Sequence, residues 1–178
     1  KKGPEFCVCP LDSYPAIGRD TKKMLWGVKE RVYSQLKNLT VVAPSSFLER
    51  AARESKLLGR FPVQRIPNGI DTRVFLPHNK AEVRAQLGIP APARVLLFTA
   101  HGLDNNPRKG SEELKKMLNA WGPQKNVLLL LVGKGGESFH VPFPVRLFGY
   151  IPQASALAKI YSASDMLLLP SMAENLPN

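Results

Sequence analysis

The sequence predicts an α/β protein built from two units with parallel sheets. Two observations carry this. Short apolar runs that read as strands alternate with segments of helical period, and strand–helix–strand order is the order of a parallel sheet. Between two such runs lies Pro67-Asn-Gly-Ile-Asp-Thr-Arg-Val-Phe-Leu-Pro77, rich in turn formers and without either period. With 178 residues, 44% of them apolar and 22% charged, the chain can bury a real core. No stretch approaches the ~18 consecutive apolar residues of a membrane-spanning helix.

The first run opens with residues 21–37. Leu25, Val28, Val32 and Leu36 recur there at helical spacing beside Trp26 and Tyr33, with Lys22, Lys23, Lys29, Arg31 and Lys37 supplying charge, so an amphipathic helix is expected. Its apolar stripe either packs in the core or, with the lysines facing lipid, lies against an anionic membrane surface. Leu39 to Ala43 reads as a short strand. Ser45 or Ser46 caps the next helix, whose polar face carries Glu49, Arg50, Arg53 and Glu54, and Gly59 is expected to end it. Val63 to Ile66 is the next strand. Asn68-Gly69 predicts a tight turn with positive φ, and Asp71 a side-chain cap on the turn after it.

The second run starts with a short helix over 80–87, stopped by Gly88. A strand from Arg94 to Thr99 leads into a long polar loop that ends at Gly110. A helix over 111–120, strands at Val127–Val132 and Val145–Phe148, a helix from Ser155 to Tyr161 and a buried strand at Met166–Leu169 complete the pattern.

The net charge of +11 suits nucleic acid, an anionic membrane or phosphorylated ligands. The basic residues are spread along the chain, with no recognition-helix cluster, RNP string or zinc-finger spacing. A basic nucleic-acid-binding α/β module is therefore the alternative reading, and nucleic acid is not an expected partner. Val132-Gly133-Lys134-Gly135-Gly136 lacks both the Gly-Lys-Ser/Thr ending of a phosphate loop and the Gly-x-Gly-x-x-Gly of a dinucleotide fold. Cys7 and Cys9 stand too close for a zinc knuckle, and two ligands cannot close a tetrahedral site, so they read as cytosolic thiols and no metal is expected. The first residues have no apolar signal region and no initiator Met, and both ends read as cuts in a longer polypeptide.

Two segments carry candidate chemistry. Asn105-Asn-Pro-Arg108-Lys109-Gly110 lies after a strand and before a helix. A diphosphate needs cations and free N–H groups. A helix N-terminus adds donors and a favourable dipole, and Gly110 lets the backbone approach closely. Asp165-Met-Leu-Leu-Leu-Pro-Ser-Met-Ala-Glu174 puts Glu174 in a polar loop after a strand. The ends of parallel strands are where open sheets bind ligands, and a carboxylate there accepts hydrogen bonds from sugar hydroxyls.

Val42-Ala-Pro-Ser-Ser-Phe-Leu, the Ile66–Pro77 crossing, Lys109-Gly110, Gly133 to Gly136, Phe148-Gly149-Tyr150-Ile151, Tyr161-x-x-(Ala/Ser)-Asp165 and the terminal Glu174-Asn175-Leu176-Pro-Asn occur in one order. Together they resemble retaining glycosyltransferases of family 4, which have the GT-B fold. The resemblance implies two Rossmann-like domains. Residues 1–70 end an N-terminal acceptor-binding domain, 71–77 form the interdomain linker, and 78–178 form the first half of a C-terminal nucleotide-sugar-binding domain.

The implied activity is transfer of a hexose from a UDP- or GDP-hexose to a glycan or lipid-linked acceptor with retention, without a further cofactor. By the same resemblance Lys109 and Glu174 are catalytic, and Arg108, Lys109 and Gly110 bind the donor diphosphate. Gly133, Gly149, Tyr150, Ile151, Glu174, Asn175 and Leu176 bind its nucleotide and sugar. Tyr161 and Asp165 are structural. The family's usual Arg after the preceding strand is replaced here by Ala100-His101-Gly102, with Arg108 its substitute. The family's signature has a second Glu, which falls beyond Asn178, so the chain by itself is expected to be inactive. Cys9-Pro10-Leu11 with Tyr14-Pro15 resembles a segment of bacterial surface-polysaccharide transferases; a cytoplasmic location is expected, peripheral at the inner face of the membrane through the basic helix over 21–37.

Overall fold

The computed structural model describes residues 22–104, 106–172 and 174. These divide after Gly69 into two compact units. Cys7, Cys9, Asn105, Asn175 and Leu176 lie outside the described residues.

The first unit is a βαβ element preceded by a helix. Helix α1 (Lys22–Gln35) has Trp26 and Tyr33 half-buried, and the Tyr33 ring lies 6.5 Å from that of Phe61. These two residues are seven apart and so share one helix face. Leu25, Val28, Val32 and Leu36, the apolar stripe read as either core or membrane-facing, are 39–53% exposed. No described element covers them, which leaves the stripe on the surface of this unit. Strands β1 (Val41–Ala43) and β2 (Val63–Arg65) pair in parallel across helix α2 (Ser46–Glu54). The Ser45 hydroxyl accepts from the Leu48 N–H at 3.2 Å and caps α2, as its side-chain chemistry predicts. Gly59 does not end this helix. Ser55 is the C-cap, and Gly59 instead fits a tight site where a Cβ would lie 2.3 Å from the Arg53 carbonyl oxygen.

Asn68-Gly69 forms no positive-φ turn. Gly69 is absent from the residues with positive φ, and the chain turns one step later. There the Arg73 N–H donates to the Asp71 carboxylate at 2.9 Å, and the Val74 and Phe75 N–H groups donate to the Asp71 carbonyl. Asp71 thus caps the turn as expected.

The second unit is a three-layer sandwich. It contains α3 (Lys80–Gln86), β3 (Arg94–Gly102), α4 (Ser111–Trp121), β4 (Val127–Lys134), β5 (Val145–Leu147), α5 (Ala154–Ala163) and β6 (Met166–Leu168). The strands form one parallel sheet in the order β5-β4-β3-β6. Strand side chains alternate between faces, so one sequence feeds two cores. Leu96, Phe98, Leu129 and Leu131 meet Leu114 and Leu118 of α4 on one face. Val95, Leu97, Leu128 and Leu130 meet Val83 of α3 and Ile160 of α5 on the other. Continuous burial of the apolar run in β4 follows from its central place in the sheet.

Two expectations differ here. Strand β3 continues to Gly102, three residues beyond Thr99, with an irregularity in its pairing to β4. The apolar run Met166–Leu169 is not buried. β6 is an edge strand, and Met166 is 57% exposed. Its neighbour Asp165 is structural. The carboxylate accepts from the Val95 N–H at 2.8 Å, Lys80 at 2.9 Å and the buried Arg84 at 2.7 Å. Arg84 also donates to the Ala163 and Ala93 carbonyls, which ties α3 to β3 and to the end of α5. Burial raises the Asp165 pKa, but these donors outweigh it and hold the carboxyl at about 2.

Candidate functional site

Parallel strands send all their C-terminal ends to one edge of the sheet, and the candidate residues collect there. After β3 the chain makes a 3₁₀ turn, Pro107–Lys109, then enters α4 through Gly110. After β6 it passes Pro170 and Ser171 to Glu174. These two exits are knit together. The Met172 N–H donates to the Arg108 carbonyl at 2.9 Å. Gly110 has φ +69°, and a Cβ on it would stand 2.1 Å from the Pro170 carbonyl oxygen, so only glycine fits. The close approach expected of Gly110 is thus to the β6 exit.

The Lys109 ammonium lies 2.5 Å from Glu174 Oε1, joining two residues 65 apart in sequence. The Lys109 hydrogen bond, then one from Ser171, hold the Glu174 carboxyl below its ordinary range against a smaller opposing effect of burial, and the Arg108 charge adds to this. Both side chains of the pair keep about a third of their surface or less. No side chain caps the N-terminus of α4, so its first N–H groups lack a capping acceptor beside this pair. The Ser111 hydroxyl there is fully buried and has no hydrogen-bond partner among the described residues.

The second group of candidate residues lies at the ends of β4 and β5. Gly133 has φ +147°, and a Cβ on it would lie 1.7 Å from the Ala100 carbonyl oxygen. Its N–H donates to the Gly149 carbonyl at 2.9 Å, which fixes the β4 exit to the Phe148–Ile151 segment. Ile151 turns its side chain toward the core, whereas Tyr150 is 60% exposed. Around the Tyr150 ring stand the His101 ring at 6.5 Å and the Lys134 ammonium at 5.9 Å. His101 and Lys134 were no part of the sequence expectation. Each sits within the last two residues of a strand, His101 in β3 and Lys134 in β4, and that position is the signal that could have marked them.

Asp104 was also missed. Its carboxylate accepts from the Gly136 N–H and from the Ser138 hydroxyl, each at 2.6 Å. Those two bonds, in that order, lower its pKa against slight burial. Among the described residues no group of three or more His, Cys, Asp or Glu side chains converges as a metal site.

Sucrose-phosphate synthase from Thermosynechococcus elongatus resembles this structure with a TM-score of 0.65 at 23% identity, over 93% of this chain and 42% of that one. HepE from Anabaena, solved in complex with UDP-glucose, does so with a TM-score of 0.61 at 21% identity, over 84% and 42%. The fold is GT-B-like, that of glycosyltransferases. WaaG, a glycosyltransferase involved in lipopolysaccharide biosynthesis, shares it more distantly, with a TM-score of 0.50 at 18% identity over 93% of this chain and 62% of WaaG. In sequence, a D-inositol 3-phosphate glycosyltransferase from Segniliparus rotundus is 30% identical over 124 residues. That match spans 62% of this chain and 27% of the relative. No protein-family model matches. The chain covers less than half the length of the sucrose-phosphate synthase and HepE chains.

Proposed function

We propose that the chain carries the donor-binding machinery of a retaining hexosyltransferase of family 4, with residues 78–178 holding a UDP- or GDP-hexose and residues 1–70 belonging to the acceptor side. The observation that carries this reading is the Lys109–Glu174 pair beside the uncapped start of α4, at the C-terminal edge of a parallel sheet. A sugar nucleotide presents two features to such a place: a diphosphate that gains negative charge and a polyhydroxylated ring. As the bond from the anomeric carbon to the diphosphate oxygen breaks, its electron pair stays on the diphosphate. The Lys109 ammonium, drawn from Glu174 to the diphosphate, stabilises that charge together with the Arg108 guanidinium and the α4 N–H groups. Glu174 accepts hydrogen bonds from sugar hydroxyls, and Tyr150 with the Gly149–Ile151 backbone borders the nucleoside. Asn175 and Leu176 are donor-binding residues in this reading. The acceptor hydroxyl attacks from the face the diphosphate leaves and passes its proton to the departing diphosphate oxygen, which retains configuration.

The acceptor is a glycan or lipid-linked sugar, reached from the cytoplasmic side. Among the described residues no helix is long and apolar enough to cross a membrane. Contact with an anionic leaflet is assigned instead to α1, whose exposed Leu25, Val28 and Val32 lie alongside Lys29.

Kinetics of the intact enzyme with UDP- and GDP-hexoses test the reading. Lys109→Ala is expected to lower kcat/KM by about 10²-fold or more, the scale of lost transition-state charge stabilisation. Arg108→Ala is expected to lose as much if it replaces the second cation absent at Ala100-His101-Gly102. Unchanged kinetics in Lys109→Ala would remove this function.

A further inference from the structure

Resting on the reading above, we infer that Asp104 is a positioning residue for donor binding. It fixes the loop that carries Lys109 to the glycine-rich exit of β4. The segment from residue 104 to residue 115 holds Arg108, Lys109 and Gly110. Both ends of that segment are anchored on one turn, residues 136–139. At one end the Asp104 carboxylate takes the Gly136 N–H and the Ser138 hydroxyl at 2.6 Å each. At the other, Lys115 of α4 donates to the same Ser138 hydroxyl at 3.4 Å and lies 5.3 Å over the ring of Phe139. Phe139 is buried against Phe98 of β3, so the anchor is rigid.

Bonds from N–H and O–H groups to a carboxylate are short and strong, and these two run in different directions, which fixes the turn in more than one axis. Asp104 offers no atom that a donor diphosphate would seek, since both carry negative charge. Its contribution is to set the distance between the cation loop and the β4 exit, both of which this reading gives to the donor. A residue that aligns two halves of a binding site acts on donor affinity. It leaves the bond-breaking step, which falls to Lys109, nearly unchanged once the donor is bound.

Titration with UDP and with GDP by calorimetry, together with donor KM and kcat of the intact enzyme, tests this. Asp104→Ala is expected to weaken nucleoside diphosphate binding and raise donor KM by about 10-fold, with kcat within about threefold. Asp104→Asn is expected to stay within about twofold of wild type, because its carbonyl still accepts from Gly136 and its NH₂ can donate to the Ser138 oxygen. A merely structural role would lower the melting temperature without this split between KM and kcat and without rescue by Asn. If Asp104→Ala fails to fold, Ser138→Ala carries the test, with an expected loss of about threefold in affinity. Unchanged binding in Asp104→Ala or Ser138→Ala overturns the inference, as does equal loss in the Asn and Ala variants. Should Lys109→Ala leave nucleotide binding intact, the donor reading itself fails. Loss in Lys109→Ala with none in Asp104→Ala sinks only the positioning role.

Discussion

The contact between Lys109 and Glu174 decides what each residue can do alone. At 2.5 Å the ammonium is already paired, so an incoming diphosphate must compete with Glu174 for it. Glu174→Gln removes that competitor. UDP or GDP affinity is expected to rise by about threefold, the scale of a partly exposed ion pair, while transfer from a sugar nucleotide falls. Calorimetry beside a turnover assay reads both, and weaker nucleotide binding in the Gln variant would count against this competition. Gly110 is tested by stability. Gly110→Ala adds a Cβ against the Pro170 carbonyl at a positive φ, and thermal melts are expected to show a loss of about 2 kcal/mol or more. Residue types and their order singled out Lys109, Gly110 and Glu174, and the structure brings the three to one place. The sequence did not reveal the surroundings of Asp104, His101 or Lys134, since these depend on which strand ends lie side by side.

At the scale of elements, the strands and helices were legible because burial and period coincide in a sandwich with two covered faces. β4 illustrates this: its apolar run is central and buried throughout. The run at β6 has the same composition but an edge position, and composition alone does not distinguish the two. The same gap explains α1, whose stripe has helical spacing but no described partner. Asp165 holds these elements together. Its pKa of about 2 lies below the ~3.9 of an unfolded Asp, so the ionised form stabilises the fold. That contribution is full above about pH 4 and is lost as pH falls toward about 2. Asp165→Asn is expected to flatten the acid limb of a urea-denaturation series over that interval. At neutral pH, Asp165→Ala is expected to cost about 2 kcal/mol. Arg84 is left buried without its carboxylate, and the 38% exposure of Asp165 moderates the loss.

At the scale of the molecule, the proposed membrane contact rests on charge as well as exposure. Each Lys or Arg near an anionic leaflet contributes roughly 1 kcal/mol, and that attraction weakens with salt. Wild type is expected to co-sediment with anionic vesicles and to release at high salt. A variant with Lys22, Lys23 and Lys29 changed to Glu is expected to stay in the supernatant, and equal sedimentation of the two would clear α1 of this role. The turn-rich stretch between the two α/β runs contains the point, after Gly69, where the described residues divide into two compact units. The stretch itself was misread at Asn68-Gly69, because the dipeptide permits a turn but the neighbouring Asp71 makes one with its own side chain.

The central claim is that the Lys109 edge of the sheet receives a nucleoside diphosphate. Thermal shift of the intact enzyme and its Lys109→Ala variant against UDP, GDP and NAD tests it most directly. The account predicts that UDP or GDP raises the melting temperature of wild type by mass action, that NAD does not, and that Lys109→Ala abolishes the shift. Stabilisation by NAD alone, or an equal shift by UDP or GDP in wild type and Lys109→Ala, would contradict it.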